Sequence, residues 1–184
     1  MTTLNDTPSA SRLHIGFFGA RNSGKSTLVN ALSGQQVTIV SDVPGTTTDP
    51  VYKAMELHGI GPAELIDTAG YDDGGELGRL RVEKTRLAAE KTDIAVLLFS
   101  GREEDEAMLR FFKGRKTPVV PVISATAESP DGLAASVREL TGTEPIAAKT
   151  PEAAAAALRR ELVRLLPEGF SQPSITGALV SPGD

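Results

Sequence analysis

A glycine-rich segment at residues 19–26 constrains the fold of this chain more than any other feature. It matches the pattern G-x-x-x-x-G-K-S/T and lies between an apolar run at 13–18 and a segment of helical spacing at 25–32. Such a loop wraps backbone N–H groups around phosphate oxygens, because glycine tolerates unusual dihedral angles and close approach. Lys25 is placed to reach the β- and γ-phosphates, and the Ser26 hydroxyl is placed to bind Mg²⁺. The predicted nucleotide contacts in this segment are Gly19, Asn22, Ser23, Gly24, Lys25, Ser26 and Thr27.

Composition limits the size and the class of the protein. A chain of 184 residues that is 40% hydrophobic is long enough for one well-buried domain. We predict a folded domain over residues 12–167, a disordered segment at 1–11 and a linker at 168–184 that leads to further domains. No stretch approaches the ~18 apolar residues of a membrane span, and residues 1–11 lack the apolar centre of a signal peptide. The expectation is therefore a cytoplasmic protein.

Charge and residue type exclude several kinds of partner. With 24 acidic and 19 basic residues, the chain carries a net charge of −5 and lacks the basic stripe that nucleic-acid binding needs. Because the chain has no cysteine, it can form no disulfide and bind no iron–sulfur cluster. His14 and His58 are too few for a histidine-rich metal site, and we expect them to be structural or solvent-facing. We therefore expect a free nucleotide as ligand, with neither nucleic acid nor membrane as partner.

The order of the predicted elements indicates an α/β fold. Short apolar runs, of which residues 94–99 are the most apolar, predict buried parallel strands. They alternate with segments of helical spacing, and two runs flank a turn-rich segment as in a hairpin. This alternation predicts a mostly parallel sheet with helices on both faces. The predicted strands are 13–18, 51–57, 63–66, 94–99, 118–124 and 145–148, and the predicted helices are 25–32, 77–91, 103–112, 131–140 and 151–166.

Two further segments complete a predicted nucleotide site. The sequence Asp-Thr-Ala-Gly at 67–70 closes a predicted strand, where Asp67 can hold Mg²⁺ through a water and the Gly70 N–H can approach the γ-phosphate. The polar loop before the hairpin contains Pro-Gly-Thr-Thr-Thr-Asp at 44–49. Its hydroxyls suit a loop that orders around the γ-phosphate, with one threonine completing the Mg²⁺ shell.

These three segments, 19–26, 44–49 and 67–70, resemble those of the TrmE–Era–EngA group of P-loop GTPases. More narrowly, the stretch VSDVPGTTTDPVYKAMEL at 40–57, with Ile60-Gly61-Pro62 and LGRLRVEKT at 77–85, is similar to the GTPase domain of HydF, the [FeFe]-hydrogenase maturation scaffold. The similarity runs from about residue 13 to residue 184. It implies a Ras-like P-loop GTPase fold and Mg²⁺-dependent binding and slow hydrolysis of GTP, as a switch in maturation of the hydrogenase H-cluster.

The resemblance also implies partners. In that family a cluster-bearing part and a dimerisation region follow the GTPase domain, so they are expected beyond residue 184. Through them, other maturation proteins or the hydrogenase itself are expected as partners, together with GTP and GDP. A homodimer is also implied.

Carried over residue by residue, the resemblance assigns roles to the site. Lys25, Thr47 and Gly70 are the implied catalytic residues, and Ser26, Thr47 and Asp67 are the implied Mg²⁺ ligands. The resemblance also implies that Asp67 and Gly70 contact the nucleotide, in addition to the residues of the first glycine-rich segment.

Two positions bear on the rate of hydrolysis. Asn22 stands where potassium-activated members of the group place an asparagine that coordinates K⁺ beside the phosphates; the alternative is an ordinary loop hydrogen bond. Tyr71 follows Gly70, where Ras-like enzymes carry the glutamine that orients water. Slow intrinsic hydrolysis is therefore expected.

The predicted base site departs from the family pattern. The family places Asn-Lys-x-Asp after the strand at 118–123, and the aspartate accepts hydrogen bonds from guanine; this chain has Ser-Ala-Thr-Ala at 124–127. Ala148 and Lys149 remain as predicted base contacts, because the Ala148 N–H can still meet the guanine oxygen. Asp131 or Glu128 could replace the missing carboxylate.

Three functions are therefore compatible with the sequence. The first is a slow GTPase switch. The second is a non-hydrolysing nucleotide-binding interaction module, which the missing glutamine and the missing Asn-Lys-x-Asp motif favour. The third is a P-loop NTPase with relaxed base specificity.

Overall fold

A five-stranded sheet forms the centre of the protein. The computed structural model describes residues 12–34, 50–70 and 75–166, and for 75–82 it describes the backbone alone. Along the chain the elements are β1 (Leu13–Gly19), α1 (Lys25–Ser33), β2 (Val51–Leu57), β3 (Gly61–Asp67), α2 (Gly75–Glu90), β4 (Ile94–Phe99), α3 (Glu103–Gly114), β5 (Val119–Ile123), α4 (Pro130–Thr141) and α5 (Pro151–Arg164).

The strand order is β2-β3-β1-β4-β5. β1 lies between β3 and β4 and is parallel to both, and β5 is parallel to β4. β2 pairs antiparallel with β3, as expected for the predicted hairpin. The predicted mostly parallel α/β sheet is therefore confirmed. Because the carboxyl ends of the four parallel strands meet at one edge, the loops that follow β1, β3, β4 and β5 lie close together.

Helices cover both faces of the sheet, as predicted. On one face, Leu28 and Leu32 of α1 and Leu158 of α5 pack with Ile15 and Phe17 of β1. On the other face, α3 and α4 and the end of α2 pack against β4, which is buried along its whole length. There the rings of Phe18 and Phe112 have centroids 5.0 Å apart. This double cover explains why β4 is a continuous apolar run.

Helix ends follow local rules. α1 stops at Gly34, whose φ of 70° permits its N–H to donate to Asn30 O. α5 begins after Thr150, whose Oγ1 accepts from the Ala153 N–H at 3.2 Å, and Pro151 takes the first helical position.

The prediction of a strand at 145–148 was wrong. Only one bridge, between Val122 and Ile146, forms beside β5. The segment is short and is followed at once by Pro151 of α5, so it does not extend into a ladder. Bounds of several other elements shift by one or two residues; β3, for example, starts at Gly61 instead of Ala63.

Several predictions concern residues that the structure does not describe. The terminal segments 1–11 and 168–184 lie outside the described residues, so the domain bounds 12–167 remain a prediction. The polar loop 35–49 also lies outside them. In the described part of the chain, no helix is both long and apolar enough to span a bilayer.

Candidate nucleotide-binding site

The loop between β1 and α1 has the backbone of a phosphate cradle. Asn22 and Gly24 adopt left-handed φ angles of 61° and 100°. A Cβ on Gly19 would lie 2.8 Å from Ser23 Oγ and 3.0 Å from Leu98 O, so the first glycine of the motif is required by packing. Residues 22–27 line a cavity of about 340 Å³ at the start of α1. Backbone amides, the helix dipole and an ammonium group thus share one concave surface, which suits an anion.

Lys25 is held inside this loop. Its Nζ donates to Ala20 O at 2.8 Å and to Gly19 O at 3.0 Å, and the residue is only 6% exposed. These carbonyls fix the ammonium group at the floor of the cradle. A long flexible lysine chain thereby loses its freedom before any ligand arrives, so that binding a phosphate costs less entropy.

Ser26 and Asp67 meet across two loops. Ser26 Oγ donates to Asp67 Oδ2 at 2.8 Å, which joins the first turn of α1 to the end of β3. The other oxygen, Asp67 Oδ1, is buried and accepts no hydrogen bond from any described residue. A hydroxyl and a carboxylate are the hard oxygen donors that Mg²⁺ uses when phosphates supply further ligands. The orphaned oxygen therefore fits a metal site formed by these two residues.

Burial raises the pKa of Asp67 above 3.8. The hydrogen bond from Ser26 and the positive charge of Lys25 act in the opposite direction, but desolvation is the largest cause. Removing a carboxylate from water without full compensation is unfavourable. A bound cation would supply the missing compensation.

The segment after β3 is fixed against the P-loop. Thr68 Oγ1 donates to Phe17 O at 2.7 Å, which joins the segment to β1. A Cβ on Gly70 would lie 2.3 Å from Arg21 N and 2.4 Å from Arg21 Cα. Only glycine can therefore approach the P-loop backbone here. The contact of the Gly70 N–H with the γ-phosphate stays a prediction.

The loop after β5 is also tied to the P-loop. Ser124 is 2% exposed, and its Oγ donates to Ser23 O at 2.7 Å. The same oxygen accepts from the Thr126 N–H at 3.1 Å. Ser124 thus positions the loop at the place of the missing Asn-Lys-x-Asp motif. The sequence showed the substitution, but we did not predict that Ser124 positions this loop. The spacing Ser-x-Thr, which is typical of a turn stabilised by a hydroxyl group, indicated such a role.

A second cavity, of about 280 Å³, adjoins the cradle between this loop and the start of α5. Six predicted contacts line it: Ala148 and Lys149, together with Asn22, Ser23, Gly24 and Thr27 of the P-loop. Glu128 lines a different cavity, which opens on Arg21 and Arg102, and Asp131 lines neither. The structure therefore does not support Glu128 or Asp131 as the replacement carboxylate.

Two predicted residues lie outside the described part of the chain. Thr47 falls within 35–49, and Tyr71 within 71–74. Among the other predicted contacts, Ser23 and Gly24 line both adjoining cavities, whereas Gly19, Asp67 and Gly70 line neither.

Comparison with known proteins agrees with this geometry. A family model described as 50S ribosome-binding GTPase matches residues 14–125, more than half of the chain. The tRNA modification GTPase MnmE of Chromobacterium violaceum is 37% identical over 110 residues, which are 59% of this chain and 24% of that protein. MnmE of Heliobacterium modesticaldum is 40% identical over 107 residues, which are 55% and 23%. The chain thus spans about a quarter of these relatives.

Solved structures of Era have the same fold. An Era variant of Aquifex aeolicus, bound to GDP and AlF₄⁻, matches with a TM-score of 0.69 and 26% identity, over 85% of this chain and 57% of that one. Era in complex with MgGDPNP and a segment of 16S ribosomal RNA matches with a TM-score of 0.69 and 25% identity, over the same shares. The predicted P-loop GTPase fold is confirmed.

Proposed function

This chain belongs to the family of 50S ribosome-binding GTPases, and from that premise we propose that it binds GTP with Mg²⁺, hydrolyses it slowly to GDP and phosphate, and acts as a switch in [FeFe]-hydrogenase maturation. Membership of this family supports GTP binding and GTPase activity. The observation that carries the proposal is the meeting of Ser26 and Asp67, 2.8 Å apart, beside the buried Lys25.

The P-loop would hold the phosphates. Amide groups of residues 22–27 surround the cradle, and Lys25 adds a full positive charge at its floor. Charge-assisted hydrogen bonds to phosphate are stronger than neutral ones. Gly19, Ser23 and Gly24 shape this surface, and Thr27 extends it toward the second cavity.

Ser26 and Asp67 would hold Mg²⁺, with Thr47 as a third protein ligand from the loop at 35–49. The orphaned Asp67 Oδ1 supports this assignment. When bound, the metal neutralises charge on the phosphates. Ser26 Oγ and the Asp67 carboxylate orient it, and their mutual hydrogen bond keeps both groups in place.

Hydrolysis is proposed to be slow because Tyr71 stands where a water-orienting glutamine would stand. The Gly70 amide, held against Arg21, would meet the γ-phosphate. Asn22 lines both cavities, and its amide oxygen would coordinate K⁺ beside the phosphates. A cation there would offset charge that develops during phosphoryl transfer.

The maturation role rests on the HydF-like stretches at 40–57 and 77–85. These stretches would pass the state of the nucleotide to other maturation proteins or to the hydrogenase, in the cytoplasm. The net charge of −5 supports a free nucleotide as ligand in preference to nucleic acid.

Deletion of the gene in a host with an [FeFe]-hydrogenase tests the proposed maturation role. It should abolish hydrogenase activity; normal activity would contradict this role.

Phosphate release is the direct test of the enzymatic proposal. The full chain is incubated with Mg²⁺ and either GTP or ATP, in KCl or in NaCl. Slow release from GTP, faster in KCl and reduced to the NaCl rate by Asn22→Ala, would support the proposal with its K⁺ site. Tight GTP binding without release would support the non-hydrolysing module, which the Tyr71 position favours. Faster release from ATP would support a general NTPase.

A further inference from the structure

The hydrogen bonds of the loop after β5 determine which of its two hydroxyl groups donates to the other. Ser124 Oγ has one proton, and it donates that proton to Ser23 O at 2.7 Å. The same oxygen accepts from the Thr126 N–H at 3.1 Å and lies 2.9 Å from Thr126 Oγ1. Because the Ser124 proton is already used, Thr126 must be the donor in the hydroxyl–hydroxyl contact.

Thr126 Oγ1 is consequently left as an acceptor. Its own proton points to Ser124, so its lone pairs are what it can offer to a ligand. Thr126 lines the cavity of about 280 Å³ together with Ala148, whose backbone N–H is a donor. The cavity volume is close to the roughly 300 Å³ at which small-molecule pockets begin. The residues that line this cavity therefore include a neutral acceptor, Thr126 Oγ1, and a main-chain donor, the Ala148 N–H.

The cavity has no carboxylate. Among the described residues that line it, none is aspartate or glutamate, and the one charged side chain is Lys149. A purine with a 6-oxo group presents an acceptor at O6 and a donor at N1. Guanine adds an exocyclic 2-amino group, which would need a further acceptor.

From this arrangement, and resting on the proposed function, we propose that Thr126 Oγ1 accepts from purine N1–H while the Ala148 N–H donates to O6, so that the site selects 6-oxopurines and does not read the 2-amino group. Loss of a ligand group is penalised strongly only when it leaves a buried protein group unpaired. No buried carboxylate is left unpaired when the 2-amino group is absent. Hypoxanthine should therefore bind about as well as guanine.

Adenine is disfavoured by the polarity of the same two groups. Its N1 is an acceptor and would face the lone pairs of Thr126 Oγ1. Its 6-amino group is a donor and would face the Ala148 N–H. Both contacts are then mismatched, and each mismatched polar contact weakens binding.

Calorimetric titration of the full chain with GTP, ITP and ATP in Mg²⁺ tests this proposal. We expect GTP and ITP affinities within about twofold of each other and ATP at least about tenfold weaker. ITP binding tenfold or more weaker than GTP would overturn it, as would ATP binding equal to GTP. Failure of all three nucleotides to bind would instead contradict the proposed function.

Variants of Thr126 identify the acceptor. Thr126→Val keeps the shape and removes the oxygen, so GTP and ITP should each lose about fivefold in affinity while ATP loses none. Thr126→Ser keeps the hydroxyl and should bind all three nucleotides as the unmodified chain does. Equal weakening of ATP, GTP and ITP in Thr126→Val would show a merely structural role and overturn the assignment.

Discussion

At the scale of single residues, Asp67 is poorly accommodated in the protein without a bound cation. Its carboxylate is buried at the end of β3, one oxygen lacks a partner among the described residues, and burial raises its pKa. Because burial favours the protonated carboxyl, the folded state keeps this proton at pH values where the unfolded state has lost it. The free energy of unfolding therefore falls as pH rises from 3.8 toward the raised pKa of Asp67. Function and stability therefore conflict at this position.

Asp67→Asn should raise the midpoint of thermal unfolding of the ligand-free protein by a few degrees at neutral pH, because the desolvated charge is removed. The same change should weaken binding of Mg²⁺–GTP by about tenfold or more. As pH falls through the pKa of Asp67, the unmodified carboxyl becomes neutral and the stability difference should disappear.

The control for this variant is Glu139→Gln, which neutralises an exposed carboxylate on α4. Melting curves of both variants between acid and neutral pH make the comparison. A loss of stability in Asp67→Asn at neutral pH would contradict the view that the ligand-free carboxylate is strained by burial.

Gly70→Ala should separate nucleotide binding from hydrolysis. The new methyl group would collide with the backbone of Arg21, at 2.3 Å from its nitrogen, so the amide of residue 70 must move away from the P-loop. We expect the rate of GTP hydrolysis to fall by at least about tenfold, because displacing a group near the reacting atoms by about 1 Å lowers the rate by at least that factor. The affinity for GDP should stay within about twofold of that of the unmodified chain.

Gly114→Ala is the matched control, because nothing lies within 4 Å of the added atom. Single-turnover phosphate release and GDP titration make both measurements. Unchanged hydrolysis in Gly70→Ala would mean that this amide takes no part in the reaction.

At the scale of elements, the loop after β5 depends on a contact that spans 101 residues of sequence, from Ser124 to Ser23. Ser124→Ala removes one donor and leaves Ser23 O and the Thr126 N–H without their partner. We expect a loss of about 1–2 kcal/mol in the free energy of unfolding, together with weaker GTP binding. Chemical denaturation measures the first and calorimetry the second.

Ser136→Ala supplies the comparison, because Ser136 Oγ makes an exposed bond to Gly132 O within α4. It should change the free energy of unfolding by less than about 0.5 kcal/mol. Equal effects of the two serine variants would remove the assigned role of Ser124.

The same scale shows what sequence could and could not predict. β4 has the predicted bounds, because it is a continuous apolar run and is buried along its length. β2 has them as well, because it adjoins the turn-rich segment that predicted a hairpin. We predicted a strand around Ile146, but this segment forms a single bridge with Val122. The prediction failed because strand pairing depends on segments that are distant in sequence. The position of the P-loop between β1 and α1 was predictable from spacing. The Ser124–Ser23 hydrogen bond was not, because it joins loops distant in sequence.

At the scale of the whole molecule, the site exists because one sheet brings four strand ends to one edge. The loop after β1, the end of β3 and the loop after β5 supply the cradle, the Ser26–Asp67 pair and part of the cavity of about 280 Å³. A ligand that joins these loops stabilises the folded chain by mass action. GTP with Mg²⁺ at 100 times its dissociation constant should add about 2.7 kcal/mol of stability.

Differential scanning fluorimetry with GTP, in Mg²⁺ or in EDTA, measures this linkage. The upward shift in melting temperature should shrink in EDTA, because Ser26 and Asp67 act through the metal. An equal shift in EDTA would show that these residues do not hold a metal.

The central claim, that Lys25 and the P-loop bind the phosphates of GTP, is tested most directly by calorimetric titration of the full chain and of Lys25→Ala with Mg²⁺–GTP, after both are shown to be folded. The account predicts one-to-one binding by the unmodified chain and at least about 100-fold weaker binding by the variant, since a charge-assisted contact to phosphate is lost. Equal affinities, or no binding by the unmodified chain, would contradict it.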